Sequence, residues 1–335
     1  MSRARRGLSF MQTIAMIAAF VFLVCIALIA LNNWEANQDF SGSTPNQDPP
    51  LVHNGQEYVL KDNVETILVM GLDKYEHADE DEDGYYNDQQ ADFLMLFVLD
   101  HEAKTYETIH VDRDTMAEIN VLGLAGQKIG TVTKQIALSH TYGNGRAISC
   151  RNTSDAVSNL LMDMKIDSYI SMTMNSLPVF NDLVGGVEVT ILDDFTGIDD
   201  TLIKGETMKL LGEQALNYVR SRYGLDDSSN EDRMLRQRQY LEALFDTTAE
   251  CVAADENFIV DASTVMAQYM VSDLSLTELQ ETFKNISDYT EVGAIRAIEG
   301  EYKVGNNNFM EFHVNAESIK QIVIDVFYEP KTEQE

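Results

Sequence analysis

From residue 64 onward, short apolar runs alternate with segments of helical spacing. Residues 66–73 (TILVMGLD) and 92–100 (DFLMLFVLD) are continuous apolar runs, a pattern typical of strands buried on both faces. A short polar connection separates the second run from residues 106–114 (YETIHVDRD), which predicts a β-hairpin. The alternation as a whole predicts the α/β fold class, with a mixed central β-sheet packed by helices on both faces over residues 64–330.

The helical segments have recognisable start and stop signals. Gly143 follows the first of them, and Gly185 with Gly186 ends the third. A further hairpin is predicted at residues 300–314, before the last helix. The predicted helices are residues 136–142, 154–164, 176–184, 212–219, 228–253 and 316–329.

The N-terminal segment has a different pattern. Residues 8–31 form an uncharged apolar run, with Arg3, Arg5 and Arg6 before it and Trp34 after it. The run is long enough to span a bilayer core of ~30 Å, and the flanking arginines predict a cytoplasmic N-terminus. A cleaved signal peptide is the alternative, but the run is longer than usual for one and lacks an A-x-A site.

These features predict a single transmembrane helix in front of an extracytoplasmic domain, so the expected location is the cell membrane. The expected organisation is a cytoplasmic tail, an anchor, an extracytoplasmic linker that is polar and contains three prolines, and the catalytic domain. The corresponding boundaries are residues 1–7, 8–31, 32–63 and 64–330.

Composition narrows the classes of function. The formal net charge is −31 and the pI is about 4.3, which excludes general binding of nucleic acid. Of the three cysteines, Cys150 and Cys251 lie outside the predicted anchor and either form a disulfide or are buried thiols. No cysteine and histidine spacing typical of zinc sites is present.

An acidic loop at residues 77–92 begins like a calcium-binding loop, with Asp79, Asp81, Asp83 and Gly84 in a D-x-D-x-D-G pattern. The twelfth position of such a loop is a bidentate glutamate, and here it is Gln90. The pattern therefore favours an acidic surface loop over a calcium site.

Isolated carboxylates stand at strand ends. Asp73 ends the first predicted strand, Asp92 begins the second, and Asp112 and Asp114 flank Arg113 at the end of the third. Carboxylates gathered at one sheet edge can bind Mg²⁺. Aspartates are also common turn residues, which is the alternative explanation.

The segment YVRSRYGLDDSSNEDRMLRQRQYL, residues 218–241, contains five arginines and no lysine. Arg220 and Arg222 alternate in phase, so their side chains are expected to point the same way. Arg233, Arg236 and Gln237 lie close together around a helix, and Arg238 falls on its other flank. Guanidinium groups at this density bind phosphate oxygens or pair with carboxylates. The acidic residues available for pairing are Asp226, Asp227, Glu231 and Asp232.

The order of these motifs resembles the LytR–CpsA–Psr family of membrane-anchored cell-envelope proteins. The matching motifs are ILVMGLD, QADFLMLFVLD, HVDRDT, QIALSHTYGNG, SLPVFNDLVGGVEVTI, LLGEQALNYVRSR and DRMLRQRQYL, which run in family order over roughly residues 65–245. The resemblance implies a mixed sheet between helices, enclosing an apolar tunnel for a polyprenyl tail. The implied activity is Mg²⁺-assisted transfer of a phosphate-linked glycopolymer, similar to teichoic acid or capsule, from a polyprenyl-pyrophosphate carrier to peptidoglycan. Mn²⁺ is an alternative to Mg²⁺.

The resemblance also implies roles for individual residues. Asp73 and Asp92 would be catalytic and bind the metal. The residues that would contact the pyrophosphate are Arg113, Arg220, Arg222, Arg233, Arg236 and Gln237, of which Arg113, Arg220 and Arg222 would also be catalytic.

The sequence departs from the family pattern where arginines are usual. Lys74 and Tyr75 stand after the first aspartate, Gln90 stands before the second, and Asn230 replaces an aspartate. These changes leave open a protein that binds lipid-linked phosphates without turnover, and hydrolysis of the same lipids is a further alternative.

Overall fold

The central sheet of the computed structural model has the strand order β11 (Met270–Ser272), β8 (Ser168–Met172), β3 (Val64–Leu72), β4 (Ala91–Asp100), β5 (Thr105–Val111) and β12 (Thr290–Glu291), with β13 (Arg296–Ala297) also paired to β5. β3 pairs antiparallel with β4 and parallel with β8, so the sheet is mixed as predicted. The structure describes residues 51–74, 87–221, 230–255, 257–306 and 308–331, within a compact unit that begins at Leu51.

Strands and helices are numbered in chain order. The strands are β1 (Leu51–His53), β2 (Gln56–Leu60), β3 (Val64–Leu72), β4 (Ala91–Asp100), β5 (Thr105–Val111), β6 (Met116–Leu122), β7 (Lys128–Gln135), β8 (Ser168–Met172), β9 (Val187–Thr190), β10 (Thr207–Leu210), β11 (Met270–Ser272), β12 (Thr290–Glu291), β13 (Arg296–Ala297), β14 (Gly300–Val304), β15 (Met310–Val314) and β16 (Tyr328–Pro330). The helices are α1 (Ala147–Leu160), α2 (Ser176–Leu183), α3 (Glu213–Arg220), α4 (Asn230–Ala254), α5 (Phe258–Met266), α6 (Leu276–Asp288) and α7 (Ala316–Phe327).

Helices cover both faces of the sheet, as the continuous apolar runs predicted. On one face, residues such as Leu68 and Leu96 pack with Val157 of α1 and Val323 of α7. Alternate strand residues point to the opposite face, where the core contains Ile67, Met95, Phe97, Leu241, Phe245, Leu279 and Phe283. The predicted hairpin of β4 and β5 is confirmed, as is that of β14 and β15.

A third core cluster holds α3 in place. Val187 and Val189 of β9 and Leu210 of β10 pack with Tyr218 of α3 and Tyr240 of α4. This cluster fixes the end of α3 against α4, which carries the arginine-rich segment.

One part of the predicted fold class needs correction, because it included a transmembrane helix before the domain. No helix in the described part of the chain is long and apolar enough to cross a membrane. The predicted span at residues 8–31 lies outside the described residues. The fold class of the described residues is therefore a mixed α/β domain.

Two further segments differ from the sequence-based expectation. Residues 51–60, predicted as linker, form β1 and β2, and β2 pairs with β16 near the other end of the domain. Residues Ile136–Thr141 form a 3₁₀ helix of about two turns rather than an α-helix. Gly143 and Gly145, both at positive φ, follow it. Residues 77–86 of the acidic loop, including Asp79, Asp81, Asp83 and Gly84, lie outside the described residues.

Candidate functional site

The site is built where β3 ends beside the start of β4. The backbone N–H of Asp73 donates to the carbonyl of Gln90 at 3.0 Å, and the N–H of Gln90 donates to Asp73 Oδ1 at 2.8 Å. This reciprocal pair fixes the Asp73 carboxylate at the sheet edge, where the sequence placed it.

Asp92 lies on a β-bulge. Gly71 is opposite Phe93, but the next residue of β3, Leu72, is opposite Ala91, so Asp92 is the extra residue of β4. A bulge re-aims a side chain and recurs next to active sites. The irregular register therefore turns the Asp92 carboxylate toward the arginines of other elements.

Arg113, directly after β5, joins the two strand ends. Its Nη1 donates to Asp92 Oδ1, its Nη2 donates to Gln90 Oε1 at 2.6 Å, and its Nε lies 3.4 Å from Asp114 Oδ1. The Arg113 side chain is 18% exposed. It is thus held in one orientation and still reaches the surface of the site.

Arg233 of α4 approaches the same carboxylate from the helix layer. Its Nη1 lies 3.7 Å from Asp92 Oδ2, and its side chain is 7% exposed. The Asp92 carboxylate therefore lies between two guanidinium groups, at a depth where charges are less screened than on the surface. Such paired guanidiniums suit phosphate oxygens.

His110 lies beneath this cluster and was missed from the sequence. It is buried, its ring centroid is 5.1 Å from that of Phe93, and burial lowers its pKa to about 3, with the charges of Arg238 and Arg233 acting in the same direction. The imidazole is therefore neutral at physiological pH. Its position in HVDRDT, on a strand whose alternate residues face the helices, is the signal that could have identified it.

The carboxylates of the cluster fit a divalent cation. Burial raises the pKa of Asp73, and the neighbouring charge of Asp92 raises it further, against the lowering effect of the Gln90 N–H. Mg²⁺ is usually bound by one or two carboxylates, with water and phosphate oxygens as its other ligands. No group of three or more His, Cys, Asp or Glu side chains that could hold a metal occurs in the described part of the chain. The donor set thus suits Mg²⁺ shared with a bound phosphate.

The predicted residues fall into two groups in the structure. Asp73, Asp92, Arg113 and Arg233 come together in this cluster. Arg220 is the last residue of α3 and is exposed, whereas Arg222 and Tyr75 lie outside the described residues.

Arg236 and Gln237 point elsewhere. Arg236 is 1% exposed; its Nε donates to the carbonyl of Tyr218 at 2.9 Å, its Nη2 to that of Ser221 and its Nη1 to Asp193 Oδ2. Gln237 Nε2 donates to the carbonyl of Val219 at 3.3 Å. All of these bonds are to the protein itself, at the end of α3 and at Asp193.

Lys74 and Gln90 stand at positions where the family usually has arginine, and both side chains are paired in the structure. Gln90 accepts from Arg113, and Lys74 Nζ lies 2.9 Å from Asp88 Oδ2. Gln90 is therefore part of the site, by orienting Arg113, rather than a vacant arginine position.

The domain contains an apolar cavity of about 630 Å³. It lies between one face of the sheet and helices α4, α5 and α6, and Phe93, next to Asp92, forms part of its wall. Glu242, Asp246 and Glu291 are the acidic residues that line it. Its apolar wall includes Ile67, Val69, Met95, Phe97, Ile170, Leu241, Leu244, Phe245, Ala262, Met266 and Phe283.

The two cysteines outside the predicted anchor are free thiols. Cys150 is buried, with its Sγ 3.7 Å from His140 Nε2, and Cys251 is partly buried. The disulfide alternative is thus not supported.

Comparisons with known proteins identify a matching family model, similar sequences and similar folds. The family model LytR_cpsA_psr matches residues 31–325. Proteins named polyisoprenyl-teichoic acid–peptidoglycan teichoic acid transferase TagU are similar in sequence. The protein from Bacillus cereus strain AH820 is 29% identical over 191 residues, covering 57% of this chain and 55% of the relative. The protein from Enterococcus faecalis strain V583 is 27% identical over 218 residues, covering 64% and 63%.

Solved structures share the fold. TagV of B. subtilis superimposes with a TM-score of 0.59 at 25% identity, over 80% of this chain and 97% of that one. TagT bound to LIIa-WTA gives a TM-score of 0.60 at 19% identity, over 86% and 96%. The chain spans about half the length of the first TagU relatives it matches.

Proposed function

The chain belongs to the LytR–CpsA–Psr family, and from this premise we propose that it transfers a phosphate-linked glycopolymer from a polyprenyl-pyrophosphate carrier to peptidoglycan. The TagU relatives are named for the transfer of teichoic acid to peptidoglycan, which is a reaction of this class. The proposed place of action is the outer face of the cell membrane, where such a carrier and peptidoglycan meet.

One observation carries the proposal: the residue that follows Asp92 in β4, Phe93, forms part of the wall of the apolar cavity. Asp92, which Arg113 and Arg233 flank, precedes Phe93, and Phe93 lines the cavity. A polyprenyl-pyrophosphate has a long apolar tail joined directly to two phosphates. A cavity of about 630 Å³ beside a guanidinium pair matches both parts of such a molecule.

The donor would bind with its tail in the cavity and its pyrophosphate against Arg113 and Arg233. Phosphoryl transfer requires little covalent chemistry from a protein and depends on positioning and on neutralising charge. Arg113 is oriented for this by Gln90 and Asp114, and Arg233 by its burial on α4. Arg220, exposed at the end of α3, would contact the pyrophosphate from the solvent side.

Asp73 and Asp92 are the residues that would hold Mg²⁺. When bound, the ion would neutralise negative charge on the phosphates and on the leaving polyprenyl phosphate. The cluster contains three carboxylates, those of Asp73, Asp92 and Asp114, and two guanidiniums. Its net charge is therefore negative when all three carboxylates are ionised. An additional cation would therefore favour binding of an anionic donor.

The acceptor would be a sugar hydroxyl of peptidoglycan. Asp92 accepts a hydrogen bond from Arg113 and lies 3.7 Å from Arg233, so its oxygens are already engaged. Burial raises the pKa of Asp73, which brings this carboxylate closer to the range in which a general base is effective. Its Oδ1 accepts from the Gln90 N–H, so Oδ2 is the proposed atom for proton transfer.

The full chain should be incubated with a polyprenyl-pyrophosphoryl glycan, peptidoglycan oligomers and Mg²⁺, and the products followed by mass spectrometry. The expected product is a glycan–phosphate–peptidoglycan adduct, lost in Arg113→Ala and retained in Arg151→Ala. Arg151 is an exposed arginine of α1 and serves as the matched control. Free phosphorylated glycan would indicate hydrolysis, and retained but unchanged donor would indicate a binding protein. Either result would contradict the proposal.

A further inference from the structure

The end of α3 has unusual partners. The last carbonyls of a helix lack partners within the helix, so other donors must satisfy them. α3 ends at Arg220, and the next residue, Ser221, is extended, with φ −61° and ψ 136°. The chain therefore leaves the helix directly after the arginine assigned to the pyrophosphate.

Two adjacent side chains of α4 supply the missing donors. Arg236 donates to the carbonyls of Tyr218 and Ser221, and Gln237 donates to that of Val219. The carbonyls on both sides of Arg220 are thus held by one pair of residues. A basic side chain at this position also complements the negative end of the helix dipole.

Arg236 is fully engaged in this cap. Its Nη1 donates to Asp193 Oδ2, and its guanidinium carbon lies 5.6 Å from the centre of the Phe195 ring. A buried arginine with a carboxylate partner and two backbone acceptors is satisfied electrostatically within the protein. A side chain that is 1% exposed in such a setting has no route to a substrate phosphate.

The cap also sets the position of α3 relative to the site. Arg233, which approaches Asp92, is three residues before Arg236 on α4, or ~4.5 Å along the helix axis. Through Arg233 and Arg236, one turn of α4 therefore contacts both the Asp92 cluster and the end of α3.

We propose that Arg236 and Gln237 are positioning residues. They bind the C-terminal carbonyls of α3, fix the direction in which Arg220 leaves the helix, and do not contact the pyrophosphate themselves. The inference rests on the proposed function where it assigns Arg220 to the pyrophosphate. It differs from the expectation that Arg236 and Gln237 belong to the pyrophosphate site.

Gln237→Leu is the most direct test, because it removes one capping bond and leaves the buried Arg236–Asp193 pair intact. In the full chain, amide hydrogen exchange should become faster at the end of α3, including the Ser221 N–H, which donates to Asn217 at 3.1 Å. Affinity for inorganic pyrophosphate, measured by calorimetry with Mg²⁺, should fall about threefold to tenfold. Gln280→Leu, on α6, is the matched control. It removes a 3.3 Å hydrogen bond from Gln280 to Ser263 and should change neither the exchange rate at the end of α3 nor the affinity for pyrophosphate.

A double-mutant cycle separates positioning from contact. If Gln237 acts through Arg220, Gln237→Leu should have almost no further effect on pyrophosphate affinity in an Arg220→Ala background. Full additivity of the two losses would overturn the inference, since it would mean that Gln237 contacts the anion independently.

A second variant, Arg236→Lys, keeps a cation beside Asp193 but lacks the guanidinium fork that binds two carbonyls. We expect the same faster exchange at the end of α3, with about a tenfold loss of pyrophosphate affinity. Unchanged exchange in both variants would overturn the inference. If the wild-type chain bound no pyrophosphate, the proposed function would fail, and the exchange measurement would still decide whether these residues hold α3.

Discussion

Arg113, which follows β5, donates to the carboxylate of Asp92, the bulged residue of β4, so the two side chains form one charged unit. Arg233 reaches the other oxygen of the same carboxylate. In the absence of substrate, Asp92 thus occupies the guanidinium groups that are proposed to bind pyrophosphate. The ion pair keeps both arginines in place and also competes with an incoming phosphate.

Asp92→Asn should therefore separate binding from turnover. The amide keeps the size of the side chain but removes the negative charge that competes for both arginines. In EDTA, inorganic pyrophosphate should bind about tenfold more tightly, equivalent to ~1.4 kcal/mol. Transfer with Mg²⁺ should fall roughly a hundredfold, because a residue proposed to hold the ion is lost. Calorimetry and product analysis would measure these two effects.

Asp100→Asn, at the opposite end of β4, is the control and should leave both quantities unchanged. Weaker pyrophosphate binding by Asp92→Asn in EDTA would show that the carboxylate acts chiefly by holding the arginines in place.

Gln90→Glu should have the opposite effect on binding. Gln90 Oε1 already accepts from Arg113 at 2.6 Å, so a carboxylate there would pair with the same guanidinium and neutralise it. We expect pyrophosphate to bind about tenfold more weakly, with a steeper loss at low salt, where charge effects are less screened. Gln127→Glu makes the same change at an exposed position of the β6–β7 hairpin and should leave the affinity unchanged. Equal affinities in the two variants would mean that Arg113 does not contact the anion.

The sequence predicted the elements whose residue pattern follows from their own burial. β3 and β4 were predicted because strands covered on both faces are apolar throughout. β1 and β2 were assigned to a linker, although Asn54–Gly55 between them, both at positive φ, is a local hairpin signal. β2 also pairs with β16, far away in the chain. Such a pairing leaves no local signal.

The site was predictable to the extent that it depends on strand ends. Asp73, Asp92 and Arg113 were identified there, although the bulge that turns Asp92 shifts the register by one residue and has no sequence signature. Helical periodicity placed Arg233, Arg236 and Gln237 on one face of a helix. It could not show that the end of α3 packs against part of that face and uses Arg236 and Gln237 as a cap.

Ala262→Phe should distinguish the cavity from the charged cluster. Ala262 lies on α5, is 6% exposed and lines the cavity, so a phenyl ring there would occupy space proposed for the lipid tail. Affinity for a polyprenyl-pyrophosphate should fall about tenfold or more, whereas affinity for inorganic pyrophosphate should not change. Ala267→Phe adds the same ring at an exposed position just after α5 and is the matched control. Equal loss for both ligands would indicate a general disturbance of the fold and would argue against a lipid in the cavity.

Glu291→Gln should stabilise the domain in a manner that depends on pH. Glu291 lines the cavity, and burial raises its pKa above the ordinary value of 4.5, with the charges of Glu242 and Asp246 adding to the effect. A carboxyl with a raised pKa in the folded state favours folding below its unfolded pKa and loses that contribution as pH rises through the folded value. At pH 7 the wild-type chain therefore carries an unfavourable charge that glutamine lacks, while the amide oxygen can still accept from Thr108. The free energy of unfolding, measured by urea denaturation, should be higher for Glu291→Gln at pH 7, and the difference should vanish below about pH 4.5. Glu250→Gln, at an exposed position of α4 that does not line the cavity, is the control and should show no dependence of stability on pH. If the difference for Glu291→Gln did not depend on pH, packing rather than charge would be responsible.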